Sequence, residues 1–188
     1  MLSGSAPAKR SAGFTLTELM VGLAVFAILI SAGLPQFRQM LQNYQVRVAA
    51  ESAQNGLQLA RAQAVANNRG VYFQLGAGTS WTVDFVTNPG ATPIATRSSA
   101  EGSPNVTYTA TAADHSTAAT IVWFNNLGQI DTVSAGAPNP PLQRAIFTST
   151  GGGNQVLRVV IGVGGNAKVC DPSLPSTNVR YCNAALGE

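Results

Sequence analysis

The rhythm of apolar and polar positions changes twice along the chain. Residues 14–34 read FTLTELMVGLAVFAILISAGL, apolar apart from Glu18 and a few small polar side chains. That is the length needed to cross a hydrocarbon core as a helix. Beyond Pro35 the apolar positions become one-sided. Phe37, Met40, Leu41, Tyr44 and Val48, then Ala53, Leu57, Ala60 and Ala64, fall at helical spacing. Asn67-Asn68-Arg69-Gly70 supplies the stop, with a basic side chain for the last turn and a glycine for the left-handed cap. One helix from Phe14 to Arg69 would run roughly 80 Å, bent at Pro35 where an amide is missing and the ring crowds the preceding turn.

After Gly70 the period shortens to that of strands separated by Gly, Pro, Asn and Ser clusters. The pattern predicts strands over 71–75, 81–86, 106–109, 120–124, 129–133, 144–148, 155–163 and 167–170, with 88–104 as a surface loop. Gly151-Gly152-Gly153-Asn154 and Gly164-Gly165-Asn166 read as turns joining the last three strands into a meander. Trp81 and Trp123 read as core aromatics rather than as a ligand platform. The expected fold class is α+β: a long N-terminal helix, transmembrane in its first half and amphipathic in its second, packed on an antiparallel β-sheet head.

Charge sets the orientation. Lys9 and Arg10 precede the apolar run and no comparable pair follows before Arg38, so the positive-inside rule keeps the N-terminus cytoplasmic and exports everything after Pro35. A conventional secretory signal is the competing reading, since Ile30-Ser31-Ala32 loosely resembles a cleavage site. Glu18 argues against it, because a carboxylate at a membrane-helix centre costs about 2.5 to 3.5 kcal/mol, less near an interface. Cleavage between Gly13 and Phe14 would give Glu18 a partner, a new α-amino group four residues upstream. Without Lys9 and Arg10, nine basic side chains face eight acidic ones, so no global basic field attracts polyanions. The two cysteines, Cys170 and Cys182, have only His115 as a further soft ligand, which is too few for zinc. In an oxidising compartment they would instead close a disulfide loop, worth about 3 kcal/mol in the chain-entropy model.

The stretch from Lys9 to Met20, with a leader ending in Gly13, then Phe14 and Glu18 as the fifth mature residue, resembles the class III signal of type IV pilins and type II secretion pseudopilins. Pro35 matches the kink position of that family. The resemblance implies cleavage after Gly13 by a prepilin peptidase, methylation of Phe14, and assembly through the helix, with Glu18 neutralising the amine of a neighbouring subunit. A carboxylate snorkelling to the headgroups is the plainer alternative for Glu18. The implied organisation is a leader over 1–13, a transmembrane segment over 14–35, an amphipathic helix over 36–70, and a periplasmic head over 71–188, in a single-pass inner-membrane protein that enters a pilus or pseudopilus.

The remainder is similar to the GspH/FimT branch. The features that carry this are Ala60-Arg61-Ala62-Gln63-Ala64, Trp81, Phe124-Asn125-Asn126-Leu127-Gly128, and a closing Gly/basic/Cys segment. The implied role is a minor pilin at or near a filament tip that primes assembly; a minor pseudopilin of a type II secretion system is an alternative. Relatives in this branch bind DNA through a Gly-Arg-x-Arg motif, which makes a DNA receptor the other alternative. The matching stretch here, Gly165-Asn166-Ala167-Lys168, lacks the first arginine, so Lys168, Arg180 and Arg158 are the residues left for phosphate. Nothing points to catalysis or to a cofactor: there is one histidine, no nucleophile elbow, no phosphate loop and no acidic pair. His115 and Asp114 read as solvated loop side chains. The partners this reading expects are other pilin or pseudopilin subunits, the prepilin peptidase and the inner membrane, with DNA under the receptor alternative.

Overall fold

The computed structural model describes residues 13–87 and 92–182. Lys9, Arg10 and the rest of the leader up to residue 12 lie outside the described residues, as does part of the expected 88–104 loop. The chain divides after Arg38 into two units.

Helix α1, Leu16–Asn67, begins in the first unit and ends in the second, and Pro35 lies inside it without ending it. The N-terminal stretch of α1 is apolar and buries none of its surface, so by length and composition it can cross a membrane. The helix ends two residues earlier than the sequence suggests. Asn68, not Gly70, takes the left-handed conformation, at φ 50°. The Asn68 amide donates to the Val65 carbonyl and the Arg69 amide to that of Ala64, the paired closing bonds of a Schellman cap. Asn tolerates φ > 0 better than most residues, so the stop does not need the glycine. Arg69 falls just past the last turn, its guanidinium bonded to the Thr87 carbonyl at 2.7 Å and 4.5 Å over the Phe85 ring.

Among the described residues the second unit carries eight strands: β1 Val71–Leu75, β2 Trp81–Phe85, β3 Ala95–Arg97, β4 Val106–Thr111, β5 Ile121–Phe124, β6 Arg144–Ser149, β7 Val156–Ile161 and β8 Ala167–Cys170. They form two four-stranded sheets, ordered β3-β2-β1-β5 and β4-β6-β7-β8. All the pairings are antiparallel, and β6-β7-β8 is the predicted meander. Two expectations are corrected. Strand β3 lies inside the segment read as loop, because its Ala-Thr-Arg triplet pairs with β2 without an apolar alternation to announce it. Residues 129–133 make only a bridge, Ile130 to Phe124. Asn125 Oδ1 accepts the Leu127 and Gln129 amides, and Asp131 Oδ1 accepts those of Val133 and Ser134. These side-chain acceptors turn the chain where a ladder would need it straight.

One core joins helix and sheets. The buried stripe of α1 is Val46, Ala49, Ala50, Ala53, Leu57, Ala60 and Ala64. It starts later than the sequence reading placed it: Phe37, Met40, Leu41 and Tyr44 are exposed, and Val48 is half-buried. The stripe is built from small residues because bulk comes from the sheets, through Phe73, Trp81, Val83, Phe124, Phe147, Leu157 and Val159. Gly56 permits the closest approach, since a Cβ there would sit 2.8 Å from the Phe73 ring and 3.1 Å from that of Trp81. Trp81 is in the core as expected, and its indole donates to Ser52 Oγ at 2.9 Å. Trp123 is not. Val122 and Phe124 take the inner face of β5, so alternation sends Trp123 outward, where it is half-buried.

Candidate functional site

Two regions carry the sequence-predicted residues, one in each unit. In the first, Gly13, Phe14 and Thr15 form a short non-helical lead-in to α1, and Gly13 and Phe14 are exposed. Thr15 caps the helix: its Oγ1 accepts the Glu18 amide at 3.2 Å, and Thr15-Leu16-Thr17-Glu18 has the spacing of a capping box. Glu18 therefore stands in the first turn of α1, where unsatisfied backbone N–H groups and the helix dipole favour a carboxylate. The sequence reading missed this local role, although the Thr-x-x-Glu pattern was there to be read. Phe14, Glu18, Leu19, Gly22, Leu23 and Phe26 line an open groove of about 510 Å³, in which Glu18 is the single charged group. Pro35 is well over four turns further along α1 and takes no part in this groove.

In the second unit, Cys170 and Cys182 are disulfide-bonded with their Cα atoms 5.0 Å apart. The Asp171 amide donates to the Arg180 carbonyl at 2.7 Å, and Asp171 bridges Tyr181, so the loop is tied at its base by backbone as well as sulfur. The inner face of the β4-β6-β7-β8 sheet is taken by Ala145, Phe147, Leu157, Val159 and Ile161. Register then fixes the outer face. Arg144 is opposite Val160, Val160 opposite Lys168, Ile146 opposite Arg158, and Arg158 opposite Cys170. Arg158 and Lys168 thus share one face with the disulfide, while Arg180 is exposed in the loop.

The structure adds Arg144, which the sequence reading did not single out. Burial, with the charge of Arg158 as the second cause, lowers its pKa from the ordinary arginine value. The alternation of Arg144-Ala145-Ile146-Phe147 signals an outward arginine, but its nearness to Arg158 depends on a register that one sequence does not disclose. His115 is exposed at the tip of the β4–β5 connection and has φ 61°. Beside it, hydrogen bonds from the Thr117 and Ser116 side chains and amides hold the Asp114 carboxyl well below the usual range. Among the described residues there is no group of three or more His, Cys, Asp and Glu able to hold a metal.

Comparison with known proteins agrees with the N-terminal reading. A family model described as the prokaryotic N-terminal methylation motif matches residues 8–34. No curated protein matches the chain significantly. Two solved structures of the type IV minor pilin FimU from Pseudomonas aeruginosa (strain PAO1) are similar. One is 18% identical, covers 71% of this chain and 90% of FimU, and gives a TM-score of 0.49. The other is 19% identical, covers 70% and 94%, and gives 0.48. The fold described above stands on this chain's own pairings and not on that likeness. The chain thus carries the prokaryotic N-terminal methylation motif over residues 8–34, leading into a long exposed apolar helix with antiparallel sheets after it.

Proposed function

We propose that the chain is a minor pilin of the GspH/FimT type, cut after Gly13, methylated on Phe14 and assembled through α1 into a filament, at or near its tip. In this reading the first unit anchors the precursor in the inner membrane and the head stands in the periplasm before assembly. The observation that carries it is the methylation motif over 8–34, set on an exposed Gly13–Phe14 junction with Glu18 in the first turn of an apolar helix. Once Phe14 is the terminus, its ammonium and the Glu18 carboxylate are opposite charges in a groove that, among the described residues, is otherwise lined by uncharged residues. An incoming subunit gains by pairing them and loses by leaving either alone.

Mass spectrometry of the native product should find an N-methylated phenylalanine as its first residue; any other first residue removes the basis of the proposal. Glu18→Ala should insert and be cleaved normally, yet be at least about tenfold depleted from sheared filaments, as expected when one of two desolvated charges loses its partner. Normal abundance there would refute the pairing.

Two alternatives share the architecture. A type II secretion pseudopilin would use the same signal and anchor, and flanking genes separate it from a pilin. A DNA receptor draws support from Arg158 and Lys168 sharing one sheet face. That reading expects a mobility shift that weakens steeply with salt and with Lys168→Ala/Arg180→Ala.

A further inference from the structure

Arg144 and Arg158 pose a problem that the filament role does not solve. On adjacent antiparallel strands their registers, Arg144 with Val160 and Ile146 with Arg158, make them diagonal neighbours, about 7–8 Å apart at the backbone. Both are half-buried, and in each the Nε is buried and has no hydrogen-bond partner among the described residues. Like charges placed so close disfavour the fold, and a buried N–H without an acceptor disfavours it further. No strand residue of this face is acidic: around the pair are Thr109, Thr111, Ile146, Val156, Val160 and Lys168. The carboxylates that follow β4 and β8 in the chain are engaged in their own turns, Asp114 with Ser116 and Thr117 and Asp171 with Ser173. Beside Arg144, a cavity of about 260 Å³ is walled by Gln143, His115, Val160 and Val163, and it is open enough to admit a side chain.

We propose that this sheet face is a protein-docking surface whose centre receives a carboxylate, an Asp or Glu side chain of a partner, between the guanidinium groups of Arg144 and Arg158. Two forks converging on one anion are the arrangement for which arginine is preferred over lysine. The surroundings favour a protein over a nucleic acid. Apart from Lys168 at its edge, the arginines sit among aliphatic and threonine side chains, close to the composition of an interface centre, where arginine is enriched and carboxylates are depleted. A polyphosphate would instead want cations spread along a track and a basic field, and outside the leader nine basic side chains are balanced by eight acidic ones. The proposal does not rest on the filament reading.

The test uses the full chain in phosphatidylcholine nanodiscs, with the arginine Nε–H signals assigned by single Gln variants and followed by NMR. A short blocked polyglutamate peptide should shift the Arg144 and Arg158 signals saturably. Arg144→Gln/Arg158→Gln should weaken its binding by about tenfold or more, while Lys168→Gln/Arg180→Gln should weaken it by less than about fivefold. Arg144→Lys keeps the charge and loses the fork, and it should also bind less tightly. Without peptide, the double Gln variant should unfold at the same or a higher denaturant concentration than the parent, because it sheds like charges that nothing among the described residues offsets. Four results would overturn the proposal: no shift with polyglutamate, a stronger response to a thymidine oligonucleotide of equal charge, equal loss in the Lys168/Arg180 variant, or a double Gln variant less stable than the parent.

Discussion

The two units treat apolar side chains in opposite ways. In the first, the large ones are outside: Phe14, Leu19, Leu23, Phe26, Ile28 and Leu29 are all exposed. In the second, Phe73, Phe124 and Phe147 are wholly buried and the helix that meets them contributes mainly alanine. Under the proposed membrane anchoring, the first unit needs only length and hydrophobicity. The second must match shapes, with small residues on the helix opposite rings on the sheets. The widest test of this contrast truncates one phenylalanine in each. Phe147→Ala should cost the head about 3–5 kcal/mol of unfolding free energy, read by denaturant titration. Phe26→Ala should leave the head's midpoint unchanged. Equal losses would mean that the units do not differ in what specifies them.

The disulfide sharpens the contrast at the other end of the chain. Cys170→Ser/Cys182→Ser should destabilise the head by about 3 kcal/mol, the chain-entropy worth of a loop this short, and reduction of the parent should do the same. The proposed cleavage after Gly13 should be unaffected, since the methylation motif over residues 8–34 lies wholly in the first unit. A reduced head with an unchanged midpoint would show that the Asp171 to Arg180 and Tyr181 contacts hold the segment without sulfur.

How much of this was legible follows the same divide. The methylation motif over 8–34 and the apolar helix it runs into could be read because the signals there are local: the short run around Phe14 and the length of an apolar stretch. In the head, strands β1 and β8 and the β6-β7-β8 meander were readable from alternation and glycine turns. What was lost depends on partners distant in sequence. Ala95–Arg97 becomes a strand only because β2 offers an edge. Trp123 faces outward only because Val122 and Phe124 are claimed by the core. Arg144 meets Arg158 only through register. Phe37 to Tyr44 share the helical period of the buried stripe, and periodicity cannot say where along a helix the head begins to cover it.

Asp131 gives the smallest and most local test of the head's turn chemistry. Burial pushes its carboxyl up, but hydrogen bonds from the Ser134 side chain and amide and from the Val133 amide outweigh it, and the pKa is lowered on balance. A carboxylate whose folded pKa is depressed stabilises the fold fully above its unfolded value, about 3.9. That contribution is lost as pH falls through the folded value. Asp131→Asn keeps an Oδ1 acceptor for both amides while removing the charge. At neutral pH the variant should therefore be less stable by about 0.5–1 kcal/mol, the difference between a charge-assisted and a neutral acceptor. The gap should close as pH drops below about 4, because the parent then binds a proton that the variant never takes up. Parallel stability curves down to low pH would mean that the turn at Val133 and Ser134 is set by backbone geometry and not by the charge of Asp131.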